Sequence, residues 1–341
     1  MAEAPPKAGL ALPDPDLAAS VGIGMEQVEA TLFKAVEGDD EFASAAARHL
    51  LDAGGKRLRP MLTLLCAHLG DGVSQAVVDA AAVVELTHLA SLYHDDVIDS
   101  APLRRGAPSA HEVYGATVAI LTGDLLFAKA SQIVAGLGAE AVLIQAQTFE
   151  RLCLGQIHET VGPGQGDPVD HHMRVLADKT GALIATSARF GAMMAACPPP
   201  VIEALIGFGE AVGVAFQLAD DIIDLTGPAA LTGKTPGTDL REGVPTMPVL
   251  LVEQAAHQDL AAGRGQTESV DLAQALGQDL SDDAVLAGVV ARLGAHPAME
   301  RSRQIALDWA GMAKAQLAAL PAGSVKDALA ATADLFVRRL A

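Results

Sequence analysis

Hydrophobic residues recur with a helical period along almost the whole chain. Two long segments, 76–98 and 201–225, are apolar nearly all round and contain no proline. Segments of this kind are typical of the middle of a helical protein. No stretch alternates between apolar and polar residues for long enough to predict a sheet. The pattern therefore predicts an all-α fold.

Glycine and proline mark where the predicted helices end. The clear loops lie at Gly54-Gly55, 162–168 and 227–237. None is long enough to be an interdomain linker, and no fixed-period repeat is present. Residues 1–13 contain three prolines and no helical pattern, which predicts a disordered tail. We therefore predict one large helical domain over residues 14–341.

Composition and charge narrow the possible partners. Aromatic residues make up only 3% of the chain, so small aliphatic side chains must fill the core. The formal net charge of -19 repels nucleic acid, anionic membranes and any diphosphate substrate. A diphosphate-binding protein of this charge would need local basic groups and bound cations. The first twenty residues lack the basic start of a signal peptide, and no uncharged run is of transmembrane length. These features predict a cytoplasmic protein without a transmembrane segment.

Two acidic clusters with the same spacing end the two long apolar segments. Asp95 and Asp99 are four residues apart, as are Asp220 and Asp224, so each pair shares one helix face. Bare carboxylates at this spacing repel one another, and oxygen-only ligands suit magnesium. One cluster alone fits a solvated helix end equally well. The recurrence of the cluster favours a cation, and Gln217 lies one turn before the second cluster on the same face.

Basic residues stand close to the first cluster in sequence. Lys56 and Arg59, in the segment 54–60, lie one turn apart and could bind a phosphate group. A helix end capped by glycine explains this segment as well. Arg104 and Arg105 follow Asp99 closely and fit either a shared metal–diphosphate site or simple charge balancing.

His88 lies seven residues before Asp95, two turns along the same helix face. A histidine on an apolar helix is commonly a core residue whose hydrogen bonds are satisfied. Its alignment with the acidic face makes a ligand-binding role equally consistent with the sequence.

Five segments, taken in order, resemble the trans-prenyltransferase family, the polyprenyl diphosphate synthases. They are GGKRLRP (54–60), HLASLYHDDVIDSAPLRRG (88–106), ADKTGALI (177–184), FQLADDIID (216–224) and GKTPGTDLREGVPTMP (233–248). The chain is more similar to the bacterial long-chain members than to farnesyl diphosphate synthases. The resemblance implies a helical bundle around a central cavity, the isoprenoid synthase fold, and a homodimer.

The resemblance also implies a role for each matching residue. The groups that match the pocket for isopentenyl diphosphate are Lys56, Arg59, His88 and Arg105. The groups that match the allylic diphosphate site are Arg104, Lys179, Thr180, Gln217 and Lys234. The magnesium ligands would be Asp95, Asp99, Asp220 and Asp224, which are expected to hold three ions when substrate is bound. The residues expected to carry catalysis are Asp95, Asp99, Arg104, Lys179, Asp220 and Lys234.

One position departs from the family pattern. Many members have a lysine in the stretch where this chain has Val244, so one phosphate contact is expected to be missing.

Three alternative functions are weighed against a long-chain synthase: a synthase of geranylgeranyl or farnesyl length, a class I terpene cyclase, and a noncatalytic subunit of a heteromeric synthase. A cyclase does not need a second diphosphate pocket, and a noncatalytic subunit should have lost its aspartates.

Small residues precede the first cluster along the helix that carries it. Ala90 and Ser91 stand where short-chain members of the family have an aromatic floor, and Thr87 and Val84 follow further from the cluster. These side chains narrow the expected path of the growing product without closing it. The volume that such an apolar path admits predicts a product of about six to ten isoprene units.

Overall fold

The computed structural model describes residues 12–227 and 236–337, and this part of the chain is almost entirely helical. The predicted all-α fold is confirmed, whereas most of the predicted tail, residues 1–11, lies outside the described residues. The helices are α1 Pro15–Val36, α2 Glu41–Asp52, α3 Leu58–Ala67, α4 Gln75–Ile98, α5 Ala110–Tyr114, α6 Ala116–Ala135, α7 Ala139–Val161, α8 Pro168–Leu176, α9 Ala182–Met194, α10 Pro199–Thr226, α11 Thr238–Arg241, α12 Met247–Ala261, α13 Glu268–Leu276, α14 Asp283–Ala295, α15 Pro297–Gln316 and α16 Ser324–Val337. A π-helical turn, Ala177–Gly181, joins α8 to α9, and a 3-10 turn, Leu317–Ala319, follows α15.

Helix α1 shows how local sequence fixes an element. The side chain of Asp14 accepts hydrogen bonds from the backbone N–H groups of Asp16 and Leu17, and Pro15 occupies the first helical position. Buried residues recur every three or four positions along the helix, at Leu17, Val21, Gly24, Val28, Leu32 and Val36. A Cβ atom at Gly24 would lie 2.9 Å from a methyl group of Leu64, so glycine allows α1 to approach α3 closely.

The two long apolar segments form α4 and α10, as their pattern predicts. In α4 the residues from Val77 to Ala90 are buried except for Asp79 and His88, which are partly exposed, so the helix has no continuous polar stripe. The next loop, after α4, contains a short antiparallel hairpin that the sequence did not indicate. Its strands, β1 (Leu103–Arg104) and β2 (Ala107–Pro108), have two residues each, too few for an alternating pattern.

The described chain divides into two compact units. Unit 1 comprises residues 12–151, 183–209 and 316–329, and unit 2 comprises residues 152–182, 210–227, 236–315 and 330–337. Fully buried leucines dominate the core of unit 1, among them Leu32, Leu64, Leu86, Leu89 and Leu126. The core of unit 2 is built around α10, α12 and α15, with buried residues that include Leu218, Ile222, Met247, Val252 and Ala306. The single domain over residues 14–341 stays a prediction.

Three helices, α4, α6 and α10, are long and apolar enough to cross a membrane, judged by length and composition alone. The predicted absence of a transmembrane segment is therefore not confirmed and stays a prediction. Within the protein, 72% of the apolar window of α4 and 61% of that of α10 are buried, against 33% for α6. Burial inside the protein accounts for the hydrophobicity of α4 and α10, but for only a minor part of α6.

Candidate active site

The first acidic cluster lies at the end of α4 in unit 1. The backbone N–H of Asp99 donates to the carbonyl oxygen of Asp95 at 2.8 Å, so the helical turn extends to the last aspartate. The carboxylates of Asp95 and Asp99 therefore project from the same face. Asp96, between them, is fully buried. The cluster thus consists of two outer aspartates and one inner aspartate.

Arg104 holds the inner aspartate. Its Nε and Nη2 atoms lie 2.6 and 2.5 Å from Oδ1 of Asp96. Arg104 belongs to β1, and the turn of the hairpin has positive φ at both Arg105 and Gly106, at 55° and 79°. Positive φ at both central residues gives a tight turn that matches the twist of a hairpin. This turn places two consecutive arginines beside the end of α4.

Arg105 lies against the backbone of the loop between α2 and α3. Its Nη1 atom donates to the carbonyl oxygen of Leu50 at 3.0 Å and also to that of Gly54. A Cβ atom at Gly55 would lie 2.8 Å from Cζ of Arg105, and the φ of Gly55 is 147°. Glycine is required at Gly55 both for the backbone conformation and for the approach of the guanidinium group. The two glycines of the motif thus position Arg105.

Arg57, for which no role was predicted, makes ion pairs in the same region. Its side chain is buried, with Nε donating to Glu29 at 2.7 Å and Nη1 donating to Glu85 at 2.8 Å. Burial opposes the charge, but the two carboxylates raise the pKa of Arg57 above its ordinary value. Its φ of 48° is in the left-handed region, which a non-glycine residue adopts at a cost of about 1 kcal/mol. The ion pairs hold Arg57 in this strained position.

Arg59 and His88 are surrounded by like charge. Burial lowers the pKa of Arg59, with a further decrease from Arg105 that Glu85 opposes. Burial also lowers the pKa of His88 far below its ordinary value, and Arg59 adds to this. His88 is therefore a neutral imidazole at physiological pH in the free protein. The arginine cluster around it consists of Arg57, Arg59, Arg104 and Arg105.

The arginine cluster has a polar atom available for a ligand. The Nε atom of Arg59 is buried and has no hydrogen-bond partner among the described residues. Lys56, in the loop that precedes α3, is exposed to solvent. A buried donor without a partner is uncommon and is satisfied when a polar ligand binds. Of the residues predicted for isopentenyl diphosphate, the structure brings Arg59, His88 and Arg105 together, with Lys56 at the surface nearby in sequence.

The four residues predicted to set chain length lie above the first cluster on α4. Val84, Thr87 and Ala90 are fully buried, and the Ser91 hydroxyl donates to the carbonyl oxygen of His88 at 2.9 Å. Gln145 from α7 donates to Oγ1 of Thr87 at 2.5 Å. Next to them, the rings of Phe127 and Phe149 pack with centroids 4.0 Å apart.

The second acidic cluster ends α10 in unit 2 and repeats the division of the first. Asp220 is exposed and Asp224 is partly buried, whereas Asp221 is only 4% exposed. Oδ2 of Asp221 lies 3.0 Å from Nε2 of His172 and accepts a hydrogen bond from the backbone N–H of Met247 at 3.1 Å. Oδ2 of Asp224 accepts from the N–H of Asp239 at 3.2 Å.

Lys179 and Thr180 lie on the π-helical turn, also in unit 2. Turns of this type are frequent at functional sites because they re-aim side chains within a helix. Lys179 forms an ion pair with Glu159 of α7, and Gly155 leaves room for its side chain. Thr180 donates to Oε1 of Gln217 on α10 at 3.3 Å. Lys234, predicted to bind the same diphosphate, lies outside the described residues.

Comparison with known proteins decides the family. Residues 40–286 match the family described as Polyprenyl synthetase. The chain belongs to the polyprenyl synthetase family. It is 42% identical to nonaprenyl diphosphate synthase of Mycobacterium tuberculosis over 97% of both chains. This chain is a prenyltransferase with the all-α isoprenoid synthase fold.

Solved structures of polyprenyl synthases have the same fold. Geranylgeranyl pyrophosphate synthase of Corynebacterium glutamicum, crystallised with calcium and isoprenyl diphosphate, has a TM-score of 0.85 and 40% identity. The match covers 96% of this chain and 98% of that one. Decaprenyl diphosphate synthase of Rhodobacter capsulatus has a TM-score of 0.83 and 31% identity, over 96% and 99% of the two chains.

The donor set of this polyprenyl synthetase fits divalent cations shared with a substrate. No group of three His, Cys, Asp or Glu side chains suited to a metal is found in residues 12–227 and 236–337. Magnesium is typically held by one or two carboxylates together with substrate phosphates and water, and does not need a closed protein cage. The outer carboxylates Asp95, Asp99, Asp220 and Asp224 match this chemistry.

Several functional side chains escaped the sequence reasoning. Buried Arg57 forms ion pairs with the partly exposed Glu29 and the buried Glu85, and Asp221 pairs with His172 across 49 residues. No spacing rule connects residues so far apart in sequence. One feature of the sequence does indicate a buried aspartate. Each cluster contains two adjacent aspartates, and adjacent residues of a helix cannot both face the same side.

Proposed function

We propose that this enzyme condenses isopentenyl diphosphate with an allylic diphosphate, in repeated additions, to give an all-trans polyprenyl diphosphate. The observation that carries the proposal is the presence of an arginine cluster in addition to two aspartate clusters. A terpene cyclase needs only one diphosphate site, so the arginine cluster favours a synthase with two diphosphate substrates. Retention of all four outer aspartates argues against a noncatalytic subunit.

The isopentenyl diphosphate binds, in this proposal, to the basic groups of unit 1. Arg59 and Arg105 offer planar guanidinium groups that suit phosphate oxygens, and Lys56 adds a mobile point charge. His88 is neutral in the free protein and can still donate one hydrogen bond. The anion would neutralise the mutual repulsion within the arginine cluster, and this gives the site its affinity.

The allylic diphosphate binds to groups of unit 2. Lys179 is held by Glu159, so its ammonium group is already oriented before substrate binds. Thr180 and Gln217 are linked by a hydrogen bond and offer neutral polar contacts. Arg104 was predicted for this site, but its guanidinium group is engaged with Asp96. We therefore assign Arg104 chiefly to the support of the first cluster.

The reaction breaks the bond between C1 of the allylic chain and its diphosphate oxygen. Magnesium ions, held by Asp95, Asp99, Asp220 and Asp224, would supply neutralisation of the charge that develops on the leaving diphosphate. The double bond of isopentenyl diphosphate then forms the new carbon–carbon bond at C1, and a proton passes to the departed diphosphate. The protein contributes by holding both substrates in register and by excluding water from the allylic cation.

We further propose a product of about six to ten isoprene units, from the small side chains of Ala90 and Ser91 that precede the first cluster. A second candidate is a product of geranylgeranyl length, since a 40% identical relative is named a geranylgeranyl pyrophosphate synthase. Chromatography of the products from wild type and Ala90→Phe tests both. The expected result is a long product for wild type and a shorter one, with transfer retained, for the variant.

We propose a homodimer as the working form. Large apolar side chains on α6 and α7 support this proposal because they are exposed, including Ile120, Leu121, Val142 and Leu143. Exposed apolar surface of this kind commonly marks an interface. Sedimentation of the wild type and of Leu121→Glu tests it, and a wild type that sediments as a monomer at micromolar concentration would contradict it. A cytoplasmic location stays a prediction from composition.

Turnover of isopentenyl diphosphate by the purified chain is the deciding experiment. Reactions with allylic starters of different lengths should consume isopentenyl diphosphate when magnesium is present and stop in excess chelator. Release of cyclic hydrocarbon from an allylic diphosphate alone would favour a cyclase. Full activity in chelator would remove the metal assignment of the aspartates.

A further inference from the structure

Asp220 and Asp221 are adjacent on α10 and differ in exposure. Successive residues on an α-helix are separated by about 100° around its axis. Asp221 is only 4% exposed, whereas Asp220 is open to solvent. Whatever fixes the carboxylate of Asp221 in the interior also fixes the rotation of the last turns of α10. The orientation of Asp220 therefore depends on the partners of Asp221.

Two donors bind the same oxygen of Asp221. Nε2 of His172, on α8, lies 3.0 Å from Oδ2, and the backbone N–H of Met247 donates to it at 3.1 Å. Met247 is the first residue of α12, and the side chain of Thr246 before it makes no capping hydrogen bond. The carboxylate of Asp221 thus takes the place of a capping side chain at the positive end of α12.

His172 contributes a buried hydrogen bond to Asp221. It is buried on α8 and presents Nε2 to the carboxylate, so the hydrogen bond is made without contact with solvent. A buried carboxylate is costly unless it is hydrogen-bonded. Loss of His172 would leave Asp221 with the single N–H of Met247 at Oδ2 and would favour its rotation toward water.

The first cluster shows the same arrangement independently. Asp96 is the inner aspartate there, and the guanidinium of Arg104 binds its Oδ1 atom. In both clusters the inner aspartate is buried and held by a basic side chain from another element. Because the same arrangement occurs in both units, we infer that a buried, hydrogen-bonded inner aspartate is a common feature of the two clusters.

We propose that His172 is a positioning residue for the second aspartate cluster, which anchors Asp221 and so keeps Asp220 and Asp224 aimed at the cation-bound diphosphate. The inference rests on the proposed function for the identity of the ligand. His172 itself touches neither substrate nor metal. It acts through Asp221 and the start of α12.

The test compares His172→Ala and His172→Gln with His171→Ala. His171 is the neighbouring residue on α8, and its ring contacts the carbonyl oxygen of His158 at 3.0 Å, away from the cluster. It is therefore a matched control for loss of an imidazole from this helix. Calorimetric titration of each protein with inorganic pyrophosphate and magnesium measures the affinity of the site without turnover.

We expect His172→Ala to weaken magnesium–pyrophosphate binding by about 10-fold to 100-fold, the usual effect of losing an outer partner that orients the groups around a metal. His172→Gln, which can still donate a hydrogen bond, should recover part of this affinity, and His171→Ala should match the wild type. In assays, kcat should fall and the magnesium requirement should rise, while KM for isopentenyl diphosphate stays within about twofold because its groups lie in unit 1.

Two results would overturn the proposal. One is unchanged magnesium–pyrophosphate affinity in a folded His172→Ala protein. The other is an equal loss of affinity in His172→Gln and His172→Ala together with an equal drop in melting temperature, which would indicate a structural role alone. If the wild type binds magnesium–pyrophosphate but does not consume isopentenyl diphosphate, the proposed function fails while the positioning role of His172 is still tested by the titration.

Discussion

The two aspartate clusters solve one problem with different partners. Each ends a long apolar helix, buries its inner aspartate and leaves its outer aspartates toward solvent. In the first cluster the partner of Asp96 is Arg104, eight residues later, and the Arg104 side chain is 31% exposed. In the second cluster Asp221 is held by His172 and by the start of α12, both inaccessible to water. The first anchor is a guanidinium group close in sequence, whereas the second combines a histidine 49 residues away with a backbone N–H at the start of a helix.

This difference teaches where each cluster is vulnerable. An arginine anchor supplies full charge, so its loss leaves a fully buried carboxylate without compensation. A histidine and a helix N-terminus share the task at the second cluster, so the loss of either leaves the other in place. Loss of the anchor at the first cluster should therefore mainly lower the stability of the protein. Loss of an anchor at the second cluster should mainly change the orientation of its outer aspartates.

The largest effect is expected from the outer aspartates themselves. Asp95→Ala and Asp220→Ala should each lower kcat by about a thousandfold, since the loss of cation contacts worth about 4 kcal/mol raises the barrier accordingly. The helical circular dichroism and the melting temperature of the metal-free protein should not fall, because one repelling carboxylate is removed. Steady-state assays at saturating magnesium measure the effect. Near-normal turnover of either variant would remove that cluster from the metal site.

Removal of the first anchor should mainly change stability. Arg104→Met leaves the buried Asp96 without its cation and should lower the free energy of unfolding by about 3 kcal/mol. The double variant Arg104→Met/Asp96→Asn should recover most of this loss, since no buried charge then remains. Urea denaturation of the metal-free proteins measures both. If the single and double variants unfold at the same urea concentration, the pair does not carry the proposed charge compensation.

The basic groups of unit 1 should act on only one substrate. Lys56→Ala and Arg59→Ala should each raise KM for isopentenyl diphosphate by about 10-fold to 100-fold, the value of a charge-assisted hydrogen bond. The KM for the allylic diphosphate should stay near the wild-type value. A larger change in KM for the allylic diphosphate would mean that the binding sites of the two diphosphates must be exchanged.

The smallest effect concerns acid stability. The pKa of His88 lies well below its ordinary value because of burial and the arginine cluster. As the pH falls, His88 is therefore protonated in the unfolded chain but stays neutral in the folded chain. Stability from this source is complete above about pH 6.5 and declines as the pH falls below it, by about 1 kcal/mol down to pH 5.5. In His88→Asn this part of the decline should vanish.

Thermal melts of the two proteins at pH 7.5 and 5.5 measure the difference. His68 and His296 shift in the same direction as His88 and are present in both proteins, so their contributions cancel in the comparison. Identical pH dependence in wild type and variant would show that His88 titrates normally in the folded chain.

The parts of this architecture that the sequence predicts are those that rest on local rules. The apolar helices α4 and α10, the i, i+4 spacing of each aspartate pair and the turn at Gly54-Gly55 follow from short-range periodicity and backbone preference. The hairpin was missed because its strands have two residues each, although Arg105-Gly106 occupies a turn where positive φ is required.

The anchors of the site lie beyond such rules. Arg57 pairs with Glu29 and Glu85, each 28 residues away, and His172 pairs with Asp221 across 49 residues. These partners meet only because tertiary packing brings their helices together. A buried arginine or histidine also has the same sequence appearance as a solvated one. Which of the four arginines pair with carboxylates inside the protein could therefore not be predicted from the sequence, and which of them bind substrate stays a prediction.

The ion pair between Arg57 and Glu29 connects α1 to the arginine cluster that we propose binds isopentenyl diphosphate. Glu29 belongs to α1, so fraying of that helix takes a carboxylate away from the arginine cluster and releases the strained backbone of Arg57. Linkage requires that any ligand which favours the ordered cluster also favours the docked helix. Binding of isopentenyl diphosphate should accordingly slow amide hydrogen exchange in α1, and shortening the chain through this helix should raise KM for isopentenyl diphosphate.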